Sequence, residues 1–308
     1  MSARVVLVTG ASSGIGRAAA QQLAGRGEHL VLASRGGAAL RATERECRAA
    51  GAASVRSQVV DITDADAVQG LVDSVVAGHG RLDAVLQCAG VVAYGRFEDI
   101  PVELFDGVIR TNVLGSANVL RSSLPVLRRQ RHGVAVLIGS VLGEVSVPFM
   151  APYGVSKWAL RSLARQVALE NRDLADVHVC ILSPGGVDTP IYRQAANYLG
   201  RPGRPPAPVD SADKVARAAV RLLDRPRDRA SVGLANHAMR LGFSLAPRVF
   251  DALVGPLFTA AALTRERIAP TQGNVLRPQE ELEEVDGHRG QGLRTAATSL
   301  VSPMRPSG

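Results

Sequence analysis

The chain has few lysines, cysteines and aromatic residues, and each shortage narrows the functions open to it. Lys157 and Lys214 are the only lysines among 36 basic residues, so arginine carries most of the net charge of +8. Aromatic residues make up 4% of the chain and the arginines are scattered, which disfavours nucleic acid as a partner. The three cysteines and six histidines show no metal-ligand spacing, so we predict no metal site.

Long apolar runs are also lacking, although 46% of the 308 residues are hydrophobic. The first apolar run covers only residues 5–8, too few for the core of a signal peptide. Residues 252–264 are uncharged, but this run is shorter than a membrane span. The sparse, odd cysteine count is typical of a reducing compartment. We therefore predict a cytoplasmic protein with a substantial core.

Short β-branched segments alternate with helical stretches over the first 185 residues. The strand segments are apolar almost throughout, which is typical of a parallel sheet covered on both faces. Right-handed crossovers between such strands give a doubly wound α/β sheet. The predicted strands are residues 5–9, 29–33, 54–60, 84–88, 134–138, 177–182 and 230–232, and the predicted helices include 15–26, 38–50, 64–79, 102–129, 152–173 and 209–224.

The chain changes character toward its C-terminus. We predict an α/β domain over residues 1–235, a C-terminal helical extension over 236–268 that packs on it, and a poorly ordered tail over 269–308. The favoured role of the extension is packing over a pocket or at a subunit interface. The alternative is a helix on a membrane surface, because arginines stand beside leucine, phenylalanine and valine.

A glycine-rich turn follows the first predicted strand. Gly10, Gly14 and Gly16 have the spacing GxxxGxG at a strand-to-helix turn, where the backbone can approach a pyrophosphate at a helix N-terminus. The alternative is a tight turn without a ligand. The second strand ends at Arg35 rather than at a carboxylate, which favours NADP over NAD because Arg35 can pair with a 2′-phosphate. In the alternative, Arg35 is a solvated loop residue.

Four residues form a candidate catalytic set. Tyr153 and Lys157 are four residues apart on a predicted helix, so the ammonium should lower the pKa of the tyrosine and fit it for proton exchange with an alcohol or ketone. Ser140 follows the fifth strand, where its hydroxyl can polarise a carbonyl. Asn112 is a poor helix former inside predicted helix 102–129, so it either binds a water or interrupts the helix. The alternative is an exposed helical asparagine.

Taken together, these stretches resemble the short-chain dehydrogenase/reductase family over residues 4–235. The resemblance rests on the combination and order of the motifs, since each motif alone is weak. The matching stretches are Thr9-Gly10-Ala11-Ser12-Ser13-Gly14-Ile15-Gly16, Asp61, Cys88-Ala89-Gly90, Asn112, Ser140, Tyr153-Gly154-Val155-Ser156-Lys157 and Pro184-Gly185-Gly186-Val187-Asp188-Thr189.

The resemblance implies a Rossmann-type sheet of seven parallel strands with helices on both faces, and a nicotinamide cofactor. It implies that Tyr153 is the acid/base and that Lys157 holds the nicotinamide ribose and lowers the tyrosine pKa. Ser140 would position the substrate oxygen, and Asn112 would carry a proton-relay water. One departure stands out, because Gln87-Cys88 replaces the family's usual Asn-Asn and puts local geometry and cofactor affinity in question.

The implied cofactor contacts follow the same stretches. Asp61 would meet the adenine, Ala89 and Gly90 would pass the adenosine ribose, and the segment after Pro184 would frame the nicotinamide. Arg35 is added from its own position after the second strand. The predicted cofactor-binding residues are Gly10, Ser12, Ser13, Gly14, Ile15, Gly16, Arg35, Asp61, Ile62, Ala89, Gly90, Tyr153, Lys157, Pro184, Gly185, Val187 and Thr189.

The function so predicted is an NADP-dependent oxidoreductase that interconverts an alcohol and a ketone or aldehyde. Residues 141–142, 147–150, 191–192 and 234–263 would form the pocket wall, and their apolar character favours a lipophilic substrate. The family also implies a homodimer or homotetramer. The alternative function is a regulatory protein that binds the nicotinamide cofactor without turnover.

Overall fold

A computed structural model describes residues 3–287, and the part of the predicted tail at 288–308 lies outside the described residues. The strands are β1 Val5–Thr9, β2 His29–Ser34, β3 Ser54–Val59, β4 Ala84–Gln87, β5 Gly133–Ile138, β6 Val177–Pro184 and β7 Arg229–Val232. They form one parallel sheet in the order β7-β6-β5-β4-β1-β2-β3. The predicted doubly wound sheet is confirmed, with the switch in strand order between β1 and β4.

Helices cover both faces of this sheet. They are α1 Gly14–Ala24, α2 Gly37–Ala49, α3 Ala65–His79, α4 Val102–Ile109, α5 Ser116–Gln130, α6 Ala151–Glu170, α7 Ala212–Asp224, α8 Ala235–Leu245 and α9 Pro247–Ala262. Along β1, Val6 and Val8 join the core with α1, α2 and α7, whereas Val5 and Leu7 join the core with α3, α5 and α6. This alternation follows from the two-residue period of a strand. It leaves the carboxyl ends of the strands free to build a site.

The predicted helix 102–129 is interrupted in its middle. A π-helical turn at Arg110–Gly115 separates α4 from α5, and it contains Asn112. Asn112 is fully buried, so the exposed alternative is wrong and the predicted local interruption is confirmed. Such π turns occur often at functional sites.

The last two helices pack over the carboxyl edge of the sheet. Phe243 of α8 contacts Phe250 of α9 edge to face at 5.4 Å and Trp158 of α6 at 6.2 Å, measured between ring centroids. The other side of these helices exposes large apolar side chains, including Leu241 and Leu245. Among residues 3–287, no helix is both long enough and apolar enough to cross a membrane.

After α9 the chain returns to the carboxyl edge near β1 and β2. Thr271 pairs with Asn197 in an antiparallel bridge, and Val275 is buried against α4. The sequence predicts a poorly ordered tail from residue 269, whereas the structure holds residues 270–287 along the domain. The difference arises because partners far away in the sequence supply the contacts.

Candidate active site

The glycine-rich turn brings β1, α1 and the end of β4 into close contact. Gly10 has a φ of +66°, and a Cβ at this position would lie 2.6 Å from the backbone nitrogen of Ala89. Gly14 has a φ of +51°, and a Cβ there would lie 3.3 Å from Cγ2 of Thr189. A larger residue at either position would be strained. The turn therefore lies directly beneath the loop that follows β6.

A cavity of about 130 Å³ runs along this turn. Its predicted lining residues are Gly10, Ser12, Ser13, Gly14, Ile15, Gly16, Arg35, Asp61, Ile62, Ala89, Gly90 and Thr189. Of the remaining predicted cofactor residues, Gly185 and Tyr153 line a neighbouring cavity. Pro184 ends β6, and Val187 forms a short parallel pairing with Asp210.

Sequence reasoning missed several residues that line the first cavity. Ser34 ends β2 and Val60 follows β3, so the rule that ligands bind at the carboxyl ends of parallel strands points to both. Asn274 and Glu283 also line the cavity. No local sequence pattern identifies these two, because they lie at least 80 positions beyond Gln194, the previous lining residue in the chain.

Arg35 lies partly buried beside this cavity, so the solvated alternative does not hold. Its Nη2 donates to the carbonyl of Asn274 at 2.6 Å and its Nη1 to that of Val275 at 3.1 Å. Burial lowers the pKa of Arg35, while the carboxylates of Asp61 and Glu283 oppose this shift. Arg35 therefore has a fixed position, and its guanidinium now donates to carbonyls where a phosphate would also accept.

Ser140, Tyr153 and Lys157 meet where β5 ends and α6 begins. The hydroxyl of Ser140 forms a hydrogen bond with that of Tyr153 and also accepts one from the backbone nitrogen of Leu142 at 3.1 Å. Lys157 is 5% exposed, and its Nζ donates to the carbonyl of Ile138 at 2.8 Å. The same Nζ lies 5.5 Å from the centroid of the Tyr153 ring. One helical turn therefore presents both side chains to one side of the site, as predicted.

The electrostatics of the pair differ from the sequence prediction. Burial raises the pKa of Tyr153 to about 12, and the hydrogen bond with Ser140 offsets only part of this shift. Burial also lowers the pKa of Lys157 to about 8. The ammonium lies over the ring and donates to a backbone carbonyl, so it does little to stabilise a phenolate. Tyr153 is therefore a neutral phenol at neutral pH, ready to donate a proton.

Asn112 joins the π turn to the end of β4 and to α6. Its Oδ1 accepts from the backbone nitrogen of Val91 at 2.9 Å, and its Nδ2 donates to the carbonyl of Val91 and to Oγ of Ser156, each at 2.9 Å. A Cβ at Gly90 would lie 3.3 Å from Oδ1 of Asn112 and 3.7 Å from Nζ of Lys157. Asn112 thus fixes the backbone that borders the lysine.

Gln87 stands where the family usually has the first asparagine of Asn-Asn. Its Oε1 accepts from the hydroxyl of Thr9 and from the backbone nitrogen of Ala89. Its Nε2 donates to Oγ of Ser116 at 2.7 Å and to the carbonyl of Ala89 at 3.2 Å. Both ends of the amide are satisfied, so Gln87 braces β1, β4 and the start of α5.

The Gln87→Leu variant should be destabilised by about 2–4 kcal/mol, because it leaves the buried hydroxyls of Thr9 and Ser116 without this partner. Urea unfolding measures the loss, with Gln69→Leu on the exposed side of α3 as the matched control. A Gln87→Leu protein as stable as the control would show that this amide does not brace the strands.

A second and larger cavity, of about 540 Å³, opens beside Ser140 and Tyr153. Arg204 reaches its wall, but its guanidinium donates to the carbonyls of Ala260 and Ala261 at the end of α9. The predicted wall segments at 141–142, 147–150 and 191–192 each contribute to the lining. The apolar lining includes Val92, Val141, Leu142, Val147, Met150, Ile191, Met239, Val249, Phe250, Leu253, Val254, Leu257 and Phe258.

Asn236 was not singled out from the sequence, although it positions α8 over this cavity. It is 2% exposed, and its Nδ2 donates to the carbonyl of Val232 at 2.9 Å and to Oγ of Ser231 at 2.9 Å. Glu144 adds an ion pair to Arg240 of α8 at 2.9 Å. The hydrogen bonds of Asn236 and the ion pair of Arg240 therefore fix the extension at the carboxyl edge of the sheet.

Comparison with known proteins identifies the family that this geometry indicates. Residues 4–198 match the family described as short chain dehydrogenase. The chain belongs to the short-chain dehydrogenase/reductase family. Its glycine turn, the N-terminus of α1 and Arg35 fit the dinucleotide that these NAD(P)-dependent enzymes use, because each offers N–H groups or positive charge to phosphate.

Individual relatives support the same assignment. The chain is 33% identical over 190 residues to an NADPH-dependent pterin aldehyde reductase of Arabidopsis thaliana, covering 61% of this chain and 77% of that protein. It is 31% identical over 189 residues to a 3-ketodihydrosphingosine reductase of Bacteroides thetaiotaomicron, covering 61% of this chain and 66% of the relative. An alcohol dehydrogenase of Thermococcus sibiricus in complex with 5-hydroxy-NADP superposes with a TM-score of 0.65 at 30% identity, covering 75% of this chain and 95% of that one.

Proposed function

We propose that the protein is an NADP-dependent oxidoreductase that interconverts an alcohol and a ketone or aldehyde on a lipophilic substrate. The observation that carries this proposal is the position of Ser140 and Tyr153, whose hydroxyls share a hydrogen bond at the wall of the 540 Å³ apolar cavity. A carbonyl at that wall can accept hydrogen bonds from both groups while its carbon chain fills the cavity.

The chain's own residues would carry the proton and hold the substrate. The bound nicotinamide supplies or accepts a hydride. In reduction, Tyr153 donates its phenolic proton to the substrate oxygen, which its pKa of about 12 keeps available at neutral pH. Ser140 holds the same oxygen through a hydrogen bond. Lys157, fixed by the carbonyl of Ile138 over the face of the Tyr153 ring, would hold the nicotinamide ribose.

Arg35 supports NADP rather than NAD as the cofactor. A carboxylate at the end of the second strand would repel a 2′-phosphate, and this chain has a guanidinium there. The names of two relatives point the same way, since one is an NADPH-dependent reductase and another was crystallised with 5-hydroxy-NADP.

The Arg35→Ala variant should bind NADPH about 10- to 100-fold more weakly than the wild type, because it loses a charged donor to the 2′-phosphate. NADH, which lacks that phosphate, should bind the variant no more weakly than the wild type. Calorimetric titration with both cofactors measures the effect, and Arg45→Ala on the exposed side of α2 is the control. Equal losses for NADPH and NADH would refute the role of Arg35.

The lipophilic substrate is tested by a panel of carbonyl compounds with NADPH as the reductant. Steroid, retinoid, long-chain and aromatic ketones or aldehydes should be turned over, and sugars and hydroxy acids should not. Turnover confined to the polar compounds would rule the lipophilic substrate out. The predicted homodimer or homotetramer and the cytoplasmic location stay predictions.

A further inference from the structure

Residues 270–276 anchor the C-terminal part of the chain beside the cofactor cleft. The backbone nitrogen of Asn274 donates to the carbonyl of Gln194 at 2.7 Å. Val275 is 2% exposed and packs in the apolar cluster that contains Leu104 and Val108 of α4. The chain that follows is therefore delivered to the cleft at a defined point.

The next residues, 279–287, form an acidic segment that we name the acidic strap. It contains five acidic residues and no basic one. The carboxylate of Glu280 accepts hydrogen bonds from the backbone nitrogens of Gly37 at 3.2 Å and Ala38 at 2.8 Å, which are the first residues of α2. A helix N-terminus favours a negative group, so this carboxylate takes the place that an anionic ligand would otherwise occupy.

The acidic strap also occupies the N-terminus of α1, where its backbone carbonyls are the acceptors. The backbone nitrogen of Gly14 donates to the carbonyl of Glu284 at 2.8 Å. Nη1 of Arg17 donates to the carbonyl of Glu283 at 3.2 Å. Gly14 belongs to the turn that is predicted to bind the pyrophosphate, so a phosphate oxygen would need the donor that now serves Glu284.

Within the acidic strap, Glu283 is the residue whose carboxylate lies beside Arg35, at the predicted 2′-phosphate site. Its carboxylate lies near Ser12 and attracts Arg35. A Cβ at Gly36 would lie only 2.5 Å from its Oε2, so the carboxylate touches the backbone next to Arg35. Burial raises the pKa of Glu283. A carboxylate and a phosphate cannot share this position, because both are anions.

The space that remains along the glycine-rich turn is small. The cavity along the glycine-rich turn measures about 130 Å³, and Glu283 is part of its wall. Pockets that hold a drug-sized ligand measure about 300–1,000 Å³, and a dinucleotide is at the large end of that class. The acidic strap therefore takes up space in the part of the cleft that is predicted to hold the pyrophosphate and the adenosine.

We propose that the acidic strap competes with the cofactor within the same molecule, and that Glu280 and Glu283 set the affinity for the dinucleotide. Binding of the cofactor displaces residues 279–287 from the N-termini of α1 and α2, while residues 270–276 stay anchored. The inference rests on the proposed use of a nicotinamide dinucleotide, but it does not depend on the preference for NADP over NAD.

The test measures the dissociation constants of NADPH and NADH for the full chain by calorimetric titration. The variant Glu280→Ala/Glu283→Ala should bind NADPH about tenfold or more tightly than the wild type, because it loses the charge-assisted contacts that hold the strap. The control Glu266→Ala/Glu281→Ala removes two exposed glutamates and the same charge, and its affinity should equal that of the wild type.

Hydrogen exchange gives a second readout that does not involve activity. Saturating NADPH should speed exchange in residues 279–287 and slow it in the first turn of α1. Slower exchange in residues 279–287, or weaker binding by Glu280→Ala/Glu283→Ala, would overturn the proposal and make the strap part of the bound site.

The outcomes separate this proposal from the proposed function. If NADH binds and NADPH does not, the proposed cofactor preference is wrong. The competition by the strap is then tested by comparing the NADH affinities of the wild type and Glu280→Ala/Glu283→Ala. If only Glu280→Ala/Glu283→Ala binds a cofactor, competition by the strap is supported. If neither the wild type nor any variant binds either dinucleotide, the strap is not what excludes the cofactor, and the proposal fails.

Discussion

Tyr153→Phe should lower kcat for carbonyl reduction by about 100- to 10,000-fold, the range that general acid catalysis contributes. The variant keeps the ring that packs beneath Lys157 and loses only the hydroxyl that is bonded to Ser140. The substrate oxygen then lacks the phenol that donates its proton. Steady-state oxidation of NADPH with a lipophilic ketone measures the loss.

The effect should be specific to catalysis. Tyr153→Phe should still fold and bind NADPH, because it keeps the buried ring, and the lost hydrogen bond to Ser140 should cost only about 1 kcal/mol of stability. Tyr198→Phe, which alters a tyrosine in the separate cluster near α4, should leave kcat unchanged. A Tyr153→Phe enzyme with wild-type turnover would remove Tyr153 from the proton path.

Lys157→Met should lower kcat/KM for NADPH by about 100-fold, because the site loses the buried ammonium that is proposed to hold the nicotinamide ribose. Methionine keeps much of the length of the buried chain, so the variant should fold. Lys214→Met is the matched control, since Lys214 is the only other lysine and forms an exposed ion pair with Asp210 on α7's first turn.

The same lysine predicts the pH dependence of the wild type. Burial lowers the pKa of Lys157 to about 8, so the side chain is charged below that pH and neutral above it. The value of kcat/KM for NADPH, which reports groups of the free enzyme, should therefore fall as pH rises through about 8. Tyr153, with a pKa of about 12, stays protonated over this range. A wild-type profile that is flat from pH 6 to 10, or a Lys157→Met profile with the same fall, would contradict this role.

The sheet and the main motifs could be predicted from sequence because their signals are local. The apolar strands and the Gly10 turn depend on residues within a few positions of each other. The interruption of the helix at Asn112 follows a similar logic, since asparagine is a poor helix former and a buried one needs a hydrogen-bond partner. The structure supplies that partner in the backbone of Val91.

Two features could not be predicted in the same way. The direction of the Tyr153 pKa depends on where the Lys157 ammonium lies, and spacing on a helix does not determine that position. The acidic strap depends on contacts between Glu280 and the start of α2, more than 240 positions apart in the chain. Composition alone makes this segment resemble a poorly ordered tail, because its glutamates find partners only in the folded protein.

Gln87 could be predicted only in part from the sequence. The departure from the family's usual asparagine is visible in the sequence, but its consequence is not. The structure shows that the longer amide reaches Ser116 while it still serves Ala89. Both ends of the Gln87 amide therefore have hydrogen-bond partners in this chain.

The most direct test of the account mixes the enzyme and NADPH with a lipophilic ketone and follows the loss of the reduced nicotinamide together with formation of the alcohol. We predict that the wild type oxidises one NADPH for each ketone reduced, and that Tyr153→Phe binds NADPH but does not oxidise it at a comparable rate. Bound NADPH that survives unchanged with every ketone and aldehyde tested would contradict the account and favour a cofactor-binding protein without turnover.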